Sequence, residues 1–161
     1  MKHSISLLVL AIFISCNSAA QVENKKNKTF PLQKTDAEWK AQLTEMQYFV
    51  LRKAGTERAF TSPLDKNYSA GTYVCAACNT PVYASDHKFD SGSGWPSFDR
   101  AIKKNVAVDV DYELGYARTE LKCANCGGHL GHSFDDGPRE TTGKRHCING
   151  AALKFIPKKK S

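Results

Sequence analysis

Two pairs of cysteines in the 161-residue chain have the spacing of metal knuckles: Cys75-Ala-Ala-Cys78 and Cys123-Ala-Asn-Cys126. Each pair places two thiolates on one tight turn, so both sulfurs face a common point, and two such turns complete a tetrahedral site for Zn²⁺. Gly127-Gly128 allow the turn geometry after the second pair. Four thiolates leave no open position for water, so a zinc held this way is structural. In an oxidising compartment the competing reading is disulfide pairing; metal prevails where the site folds before oxidant reaches it. The chain has six cysteines. Cys16 belongs to the leader described below, which leaves Cys147 over. Its flanks, Arg145-His146-Cys147-Ile148-Asn149, put positive charge beside the thiol and would favour a thiolate. The other reading is a buried cysteine packed as a small hydrophobe.

These residues need a frame. Thr35-Asp36 reads as a helix start with Glu38 in the first turn. Trp39, Leu43, Met46 and Phe49 or Val50 recur at helical spacing, which predicts one or two short helices over residues 36–54. Gly55 supplies the stop. After Thr56 the pattern changes to short β-rich runs at residues 71–75, 106–112, 118–123 and 152–156, separated by Gly, Pro, Asn and Asp clusters. The expectation is a mainly antiparallel β domain with an N-terminal helical lead-in. Forty-four residues lie between the knuckles, so the metal would pin two distant parts of that β framework together.

The net charge of +7 raises the question of nucleic acid. Its location answers it: residues 29–157 hold 16 basic and 15 acidic residues, and the excess lies in Lys2, in Lys25, Lys26 and Lys28, and in Lys158, Lys159 and Lys160. A nucleic-acid face would concentrate Lys and Arg on the folded domain. At the N-terminus, Lys2 and His3 precede a ten-residue apolar run over residues 5–14. That is too short for a spanning helix and suits the h-region of a signal peptide. Phe13-Ile14-Ser15-Cys16 resembles a bacterial lipobox, with Phe in place of the usual Leu. The organisation expected is a lipoprotein-type signal peptide at 1–15, a lipidated Cys16 with a flexible tether to residue 34, the folded domain at 35–157, and a basic tail at 158–161. The localisation expected is that of an exported bacterial lipoprotein, facing the periplasm or the cell surface.

The stretches Gly94-Trp-Pro-Ser-Phe98, His129-Leu-Gly-His-Ser-Phe-Asp-Asp-Gly-Pro138 and Arg145-His-Cys-Ile-Asn149 resemble the signature blocks of the B-type methionine sulfoxide reductases. They occur in that family's order, interleaved with both knuckles, and the lead-in through Gly-Thr-Glu-Arg-Ala-Phe60 is similar too. The resemblance covers residues 35–156 and implies a two-sheet β fold with a Cys₄ zinc. It also implies thiol-dependent reduction of methionine-R-sulfoxide in oxidised proteins, possible on the free amino acid as well. Cys147 takes the nucleophile's place. His132 is the proton donor, with His129 as its partner in a glycine-containing loop. Trp95 and Phe134 contact the substrate, and Arg145 and Asn149 tune and orient the site.

Two positions depart from the family. Ser93 stands where many members carry the resolving cysteine, which implies a one-cysteine cycle closed by an external low-molecular-weight thiol or a thioredoxin-like protein. His146 replaces the usual aromatic and could either stack or perturb the thiol. Oxidised proteins, a thiol reductant and the membrane are the partners expected of a monomer that binds no nucleic acid. The rival reading is a non-catalytic, zinc-stabilised binding module.

Overall fold

The computed structural model describes residues 29–159. The leader and Cys16 lie outside the described residues, as does the end of the basic tail. Helix α1 (Asp36–Gln42) and helix α2 (Glu45–Lys53) follow each other directly. Both begin with a full capping box, Thr35 with Glu38 and Thr44 with Gln47, which satisfies the first free N–H groups of each helix. The stop of α2 differs from the expectation. Ala54, not Gly55, takes the left-handed conformation, at φ 54°. Gly55 is required for a different reason: a side chain there would collide with the Phe49 ring.

Among the described residues nine strands follow: β1 (Gly71–Cys75), β2 (Pro81–Ala84), β3 (Lys88–Phe89), β4 (Ser97–Phe98), β5 (Val106–Asp111), β6 (Arg118–Cys123), β7 (His129–Phe134), β8 (Arg145–Ile148) and β9 (Leu153–Pro157). They form two sheets, a three-stranded one in the order β2-β1-β9 and a six-stranded one in the order β3-β4-β8-β7-β6-β5, with every pairing antiparallel. The core between sheets and helices is apolar and aromatic. It contains Trp39, Val50, Leu51, Tyr73, Val82, Tyr83, Phe98, Leu121, Leu130 and Ile148. Phe98 stacks on Tyr83 at 4.3 Å between ring centroids and meets Tyr73 edge-on at 5.0 Å.

The sequence places His129 and His132 in a loop; they lie on β7, a central strand. Residues three apart on a regular strand point to opposite faces. Here the β6–β7 ladder slips between the pairs Leu121↔Gly131 and Lys122↔His129. The bulge adds one residue to β7 and turns both imidazoles to the same face. Gly131 lies between them, against β8. A Cβ on Gly131 would run into the backbone carbonyl of Cys147, so the two strands close only around a bare Cα.

Residues 30–32, assigned to the tether by the sequence, are packed. The Leu32 N–H donates to the Asn125 carbonyl at 2.8 Å, and the Phe30 ring covers Gly127. Both contacts fall on the second knuckle.

Gly131→Ala is expected to destabilise the fold by about 2 kcal/mol, the scale of overpacking, read as a lower urea midpoint at unchanged m-value. An unchanged midpoint would show that β7 and β8 can move apart freely.

Candidate active site

Directly opposed residues in an antiparallel sheet share a face. The observed register therefore builds a line of side chains across the six-stranded sheet: Ser97 opposes Cys147, Cys147 opposes His132, His132 opposes Glu120, and Glu120 opposes Asp109. The next line holds Arg145 opposite Phe134, and Asp111 opposite Arg118. Alternation sends Leu121 and Ile148 the other way, into the core. His146 goes with them. Its ring meets Tyr83 edge-on at 5.8 Å, and its Nδ1 lies 3.2 Å from the Tyr83 hydroxyl. His146 thus packs in the place of an aromatic, on the face of β8 opposite Cys147.

A cavity of about 170 Å³ opens over the first line, lined by Thr56, Trp95, Arg118, Gly131, His132, Phe134, Cys147 and Asn149. Cys147 is half-buried at its base. Burial pushes its thiol above the usual range; a hydrogen bond with Ser93 and the nearby Arg145 guanidinium pull it down without offsetting the burial. Arg145 thus acts on the sulfur in the direction the sequence leads one to expect, toward the thiolate, and burial outweighs it. Arg145 is itself committed elsewhere. It forms a two-bond fork with Asp136 at 2.9 and 2.8 Å and lies 4.5 Å over the Phe134 ring.

Burial also pushes the His132 imidazole below its usual range, against a hydrogen bond to Asp111 that raises it. His132 Nε2 lies 2.8 Å from Asp111 Oδ2, and since a carboxylate only accepts, Nε2 carries the proton. Asp111, which also pairs with Arg118, is held at about 2, with the Glu113 backbone N–H and His132 among the groups that lower it. His129 is 3% exposed, donates from Nδ1 to Glu120 at 2.7 Å, and meets the His132 ring at 5.2 Å.

Four residues here escape a reading along the chain: Asp111, Arg118, Glu120 and Glu57. The first three reach the histidines through cross-strand register, which no local spacing encodes. Glu57 is the connector of the lead-in. Its backbone N–H donates to Asn149 Oδ1 at 3.0 Å, its carbonyl accepts from Trp95 Nε1 at 3.1 Å, and its buried carboxylate takes the N–H groups of Gly150 and Ala151. Asn149 in turn donates from Nδ2 to the Leu130 carbonyl at 3.1 Å. Its amide ties three segments together at the wall of the cavity.

The four knuckle cysteines converge, their sulfurs all within 4.8 Å of one another. Cys75 and Cys126 sulfurs are 3.7 Å apart, and those of Cys78 and Cys123 are 3.5 Å apart. A tetrahedron with Zn–S arms of about 2.3 Å has edges of roughly 3.8 Å, so the donor set fits a structural zinc. Among the described residues, His129 is not part of this cluster. Arg52 braces the second knuckle, donating to the Cys126 carbonyl at 3.0 Å while stacked 4.8 Å over Trp39.

The SelR domain matches residues 43–157 of the chain. The chain belongs to the B-type methionine sulfoxide reductase family. Its relatives include the peptide methionine sulfoxide reductase MsrB of Leptospira interrogans, 54% identical over 127 residues that cover 78% of this chain and 96% of the relative. The corresponding MsrB of Burkholderia cenocepacia is 52% identical over 130 residues, covering 80% and 91%. That of Agrobacterium fabrum is 51% identical over 125 residues, covering 77% and 92%. In this reductase family member the matched segment contains both knuckles, the cavity and all seven site residues the sequence proposed.

Removing the metal should unfold more than the knuckles. Cys126→Ser is expected to purify with less than half an equivalent of zinc and a lower melting temperature, while Cys147→Ser keeps one equivalent; elemental analysis and calorimetry read both. Equal zinc in the two variants would place the metal elsewhere.

Proposed function

We propose that the chain reduces methionine-R-sulfoxide in oxidised proteins through Cys147, closing the cycle with an external thiol. The observation that carries this reading is Cys147 at the base of a cavity walled by Trp95 and Phe134, with His132 directly opposite it across the ladder. Trp95, half-buried and fixed through its indole N–H, offers a rigid aromatic surface for the methyl of a sulfoxide. The sulfur attacks the substrate sulfur while the sulfoxide oxygen takes a proton. Oxygen then passes to Cys147, leaving methionine and a sulfenic acid. One external thiol attacks that sulfenic acid, releasing water and forming a mixed disulfide. A second thiol releases the Cys147 thiol and carries off the disulfide. Ser93 supports the external route: its Oγ lies 3.8 Å from the Cys147 sulfur, where a cysteine would be within reach and a serine cannot form the bridge.

His132 passes the proton, with Asp111 holding the ring in place. The competent free enzyme carries one proton on the His132–Cys147 pair, as thiol and neutral imidazole in the main. The pair gains a second proton below the His132 pKa and loses its last above the Cys147 pKa. The burial that lowers the first and raises the second widens the window between them.

The leader supports export and a lipid anchor at Cys16, which would place the reductase on oxidised envelope proteins, with the basic tether residues near anionic head groups. The domain would work as a monomer at the end of that tether.

Two outcomes test this. With dithiothreitol, the R epimer alone should be consumed, Cys147→Ser should abolish turnover, and mass spectrometry of the oxidised enzyme should find a sulfenate or mixed disulfide and no internal bridge. Consumption of neither epimer would end the proposal. The profile of kcat/KM should be flat between an acid limb below about 6.5 and a basic limb above about 8.5, the ordinary values of the two groups. Asp111→Asn removes a bond that raises the His132 pKa, so the acid limb should move to still lower pH; movement upward would show that Asp111 does not serve His132.

A further inference from the structure

Three serines run in a chain to the Cys147 sulfur and take no part in the proton transfer described above. Ser97 Oγ donates to the Trp95 carbonyl at 3.1 Å. Ser91 Oγ lies 2.7 Å from Ser97 Oγ and 2.8 Å from Ser93 Oγ, and Ser93 Oγ contacts the Cys147 sulfur. Each hydroxyl has one hydrogen to give. The hydrogen of Ser97 goes to the carbonyl, so that of Ser91 must go to Ser97, that of Ser93 to Ser91, and the S–H of Cys147 to Ser93. Four contacts take four hydrogens, and the thiol supplies the fourth. With Cys147 ionised, three hydrogens remain for four contacts. A hydrogen bond to a charged sulfur outweighs one to a neutral carbonyl, so the chain reverses and the Trp95 carbonyl is the group left without its hydroxyl.

We propose that Ser93 is the hydrogen-bond partner of Cys147 through the reaction, accepting from the thiol at rest and donating to the thiolate during attack, with Ser91 and Ser97 fixing the resting direction. This rests on Cys147 being the nucleophile. No proton crosses the serines: the S–H turns about the Cβ–Sγ bond from Ser93 to the His132 side, where its proton leaves toward the sulfoxide oxygen, and three C–O bonds rotate behind it. Ser93 is the catalytic group because it touches the reacting sulfur; Ser91 and Ser97 are positioning residues.

The two roles have opposite signs. Ser93→Ala removes the donor that the thiolate uses, so Cys147 ionises less readily. Ser91→Ala frees the Ser93 hydrogen from its resting acceptor, so forming the thiolate no longer breaks a chain and Cys147 ionises more readily. Ser97→Ala acts in the same direction as Ser91→Ala. The charged and titratable groups around the sulfur are Arg145 with its partner Asp136, His132 on β7, and Arg118 on β6. None of them is a member of the serine chain.

The test is the rate of iodoacetamide alkylation of Cys147 in the zinc-loaded full chain, followed by mass spectrometry of its peptide across pH. At a pH below the midpoint, Ser91→Ala should react about three- to tenfold faster than the parent and Ser93→Ala about three- to tenfold slower, the effect of a midpoint shift of about 0.5 to 1 unit. Ser93→Thr, which keeps the hydroxyl, should match the parent. Should Ser91→Ala fail to fold, Ser97→Ala carries the same sign. A midpoint that stays put or rises in Ser91→Ala, or stays put in Ser93→Ala, overturns the proposal. Turnover retained by Cys147→Ser would instead remove the nucleophile reading, a separate result from an unmoved midpoint in an enzyme that does need Cys147.

Discussion

The register of β8 between β4 and β7 is the constraint on which the site depends. Side chains alternate along a strand, so a slip of one residue would send Cys147 and Arg145 into the core and bring His146 and Ile148 out. Several contacts oppose that slip. Ile148 is fully buried, and His146 is held by Tyr83 behind the sheet. Asn149 grips the Leu130 carbonyl with both its backbone and its side-chain N–H. Gly131 offers the one bare Cα beside which the Cys147 carbonyl fits. The position of Cys147 is thus set mainly by residues that do not face the cavity.

The zinc knuckles act on the same geometry from further away. Cys123 ends β6, Cys126 lies in the turn that follows, and His129 opens β7 three residues later. The cluster joins this turn to the end of β1 in the other sheet. Fixing the turn fixes where β7 begins, and therefore where the bulge that aligns His129 with His132 must fall. A metal held by these four cysteines, none of which lines the cavity, would thus bear on which way two imidazoles point. This is the physical sense in which a coordinatively closed zinc contributes to the site.

The legible parts of this fold are those whose signal is local. Capping residues, helical spacing and the alternation at residues 106–112 and 118–123 fixed α1, α2, β5 and β6 closely. Strands β7 and β8 were not legible. His-Leu-Gly-His-Ser-Phe has a bulge that breaks its period, and Arg-His-Cys-Ile carries polar groups on the face that builds the site. Central strands that bear chemistry on one face lose the apolar pattern that identifies a strand. The same logic divides the site. Cys147 and the knuckles stand out by residue type and spacing, and the histidines by the family resemblance. Asp111, Arg118, Glu120 and Glu57 do not, because each acts through a cross-strand or distant partner, 7 to 94 residues away.

Burial has two consequences for the reacting pair, and they are linked. It disfavours both the thiolate and the imidazolium, moving the Cys147 thiol up and the His132 imidazole down. A neutral thiol is a poorer target for stray oxidants than a thiolate. The ion pair forms only as the proton moves, and by then the groups that stabilise it are in place. Asp111 is already ionised and bonded to His132. Arg145 is already oriented by Asp136 with its charge near the sulfur. Neither has to reorganise during the reaction, which is where fixed charges in a water-poor cavity are most effective. On the proposed mechanism one cause serves both states: the cavity penalises charge until substrate supplies somewhere for the proton to go.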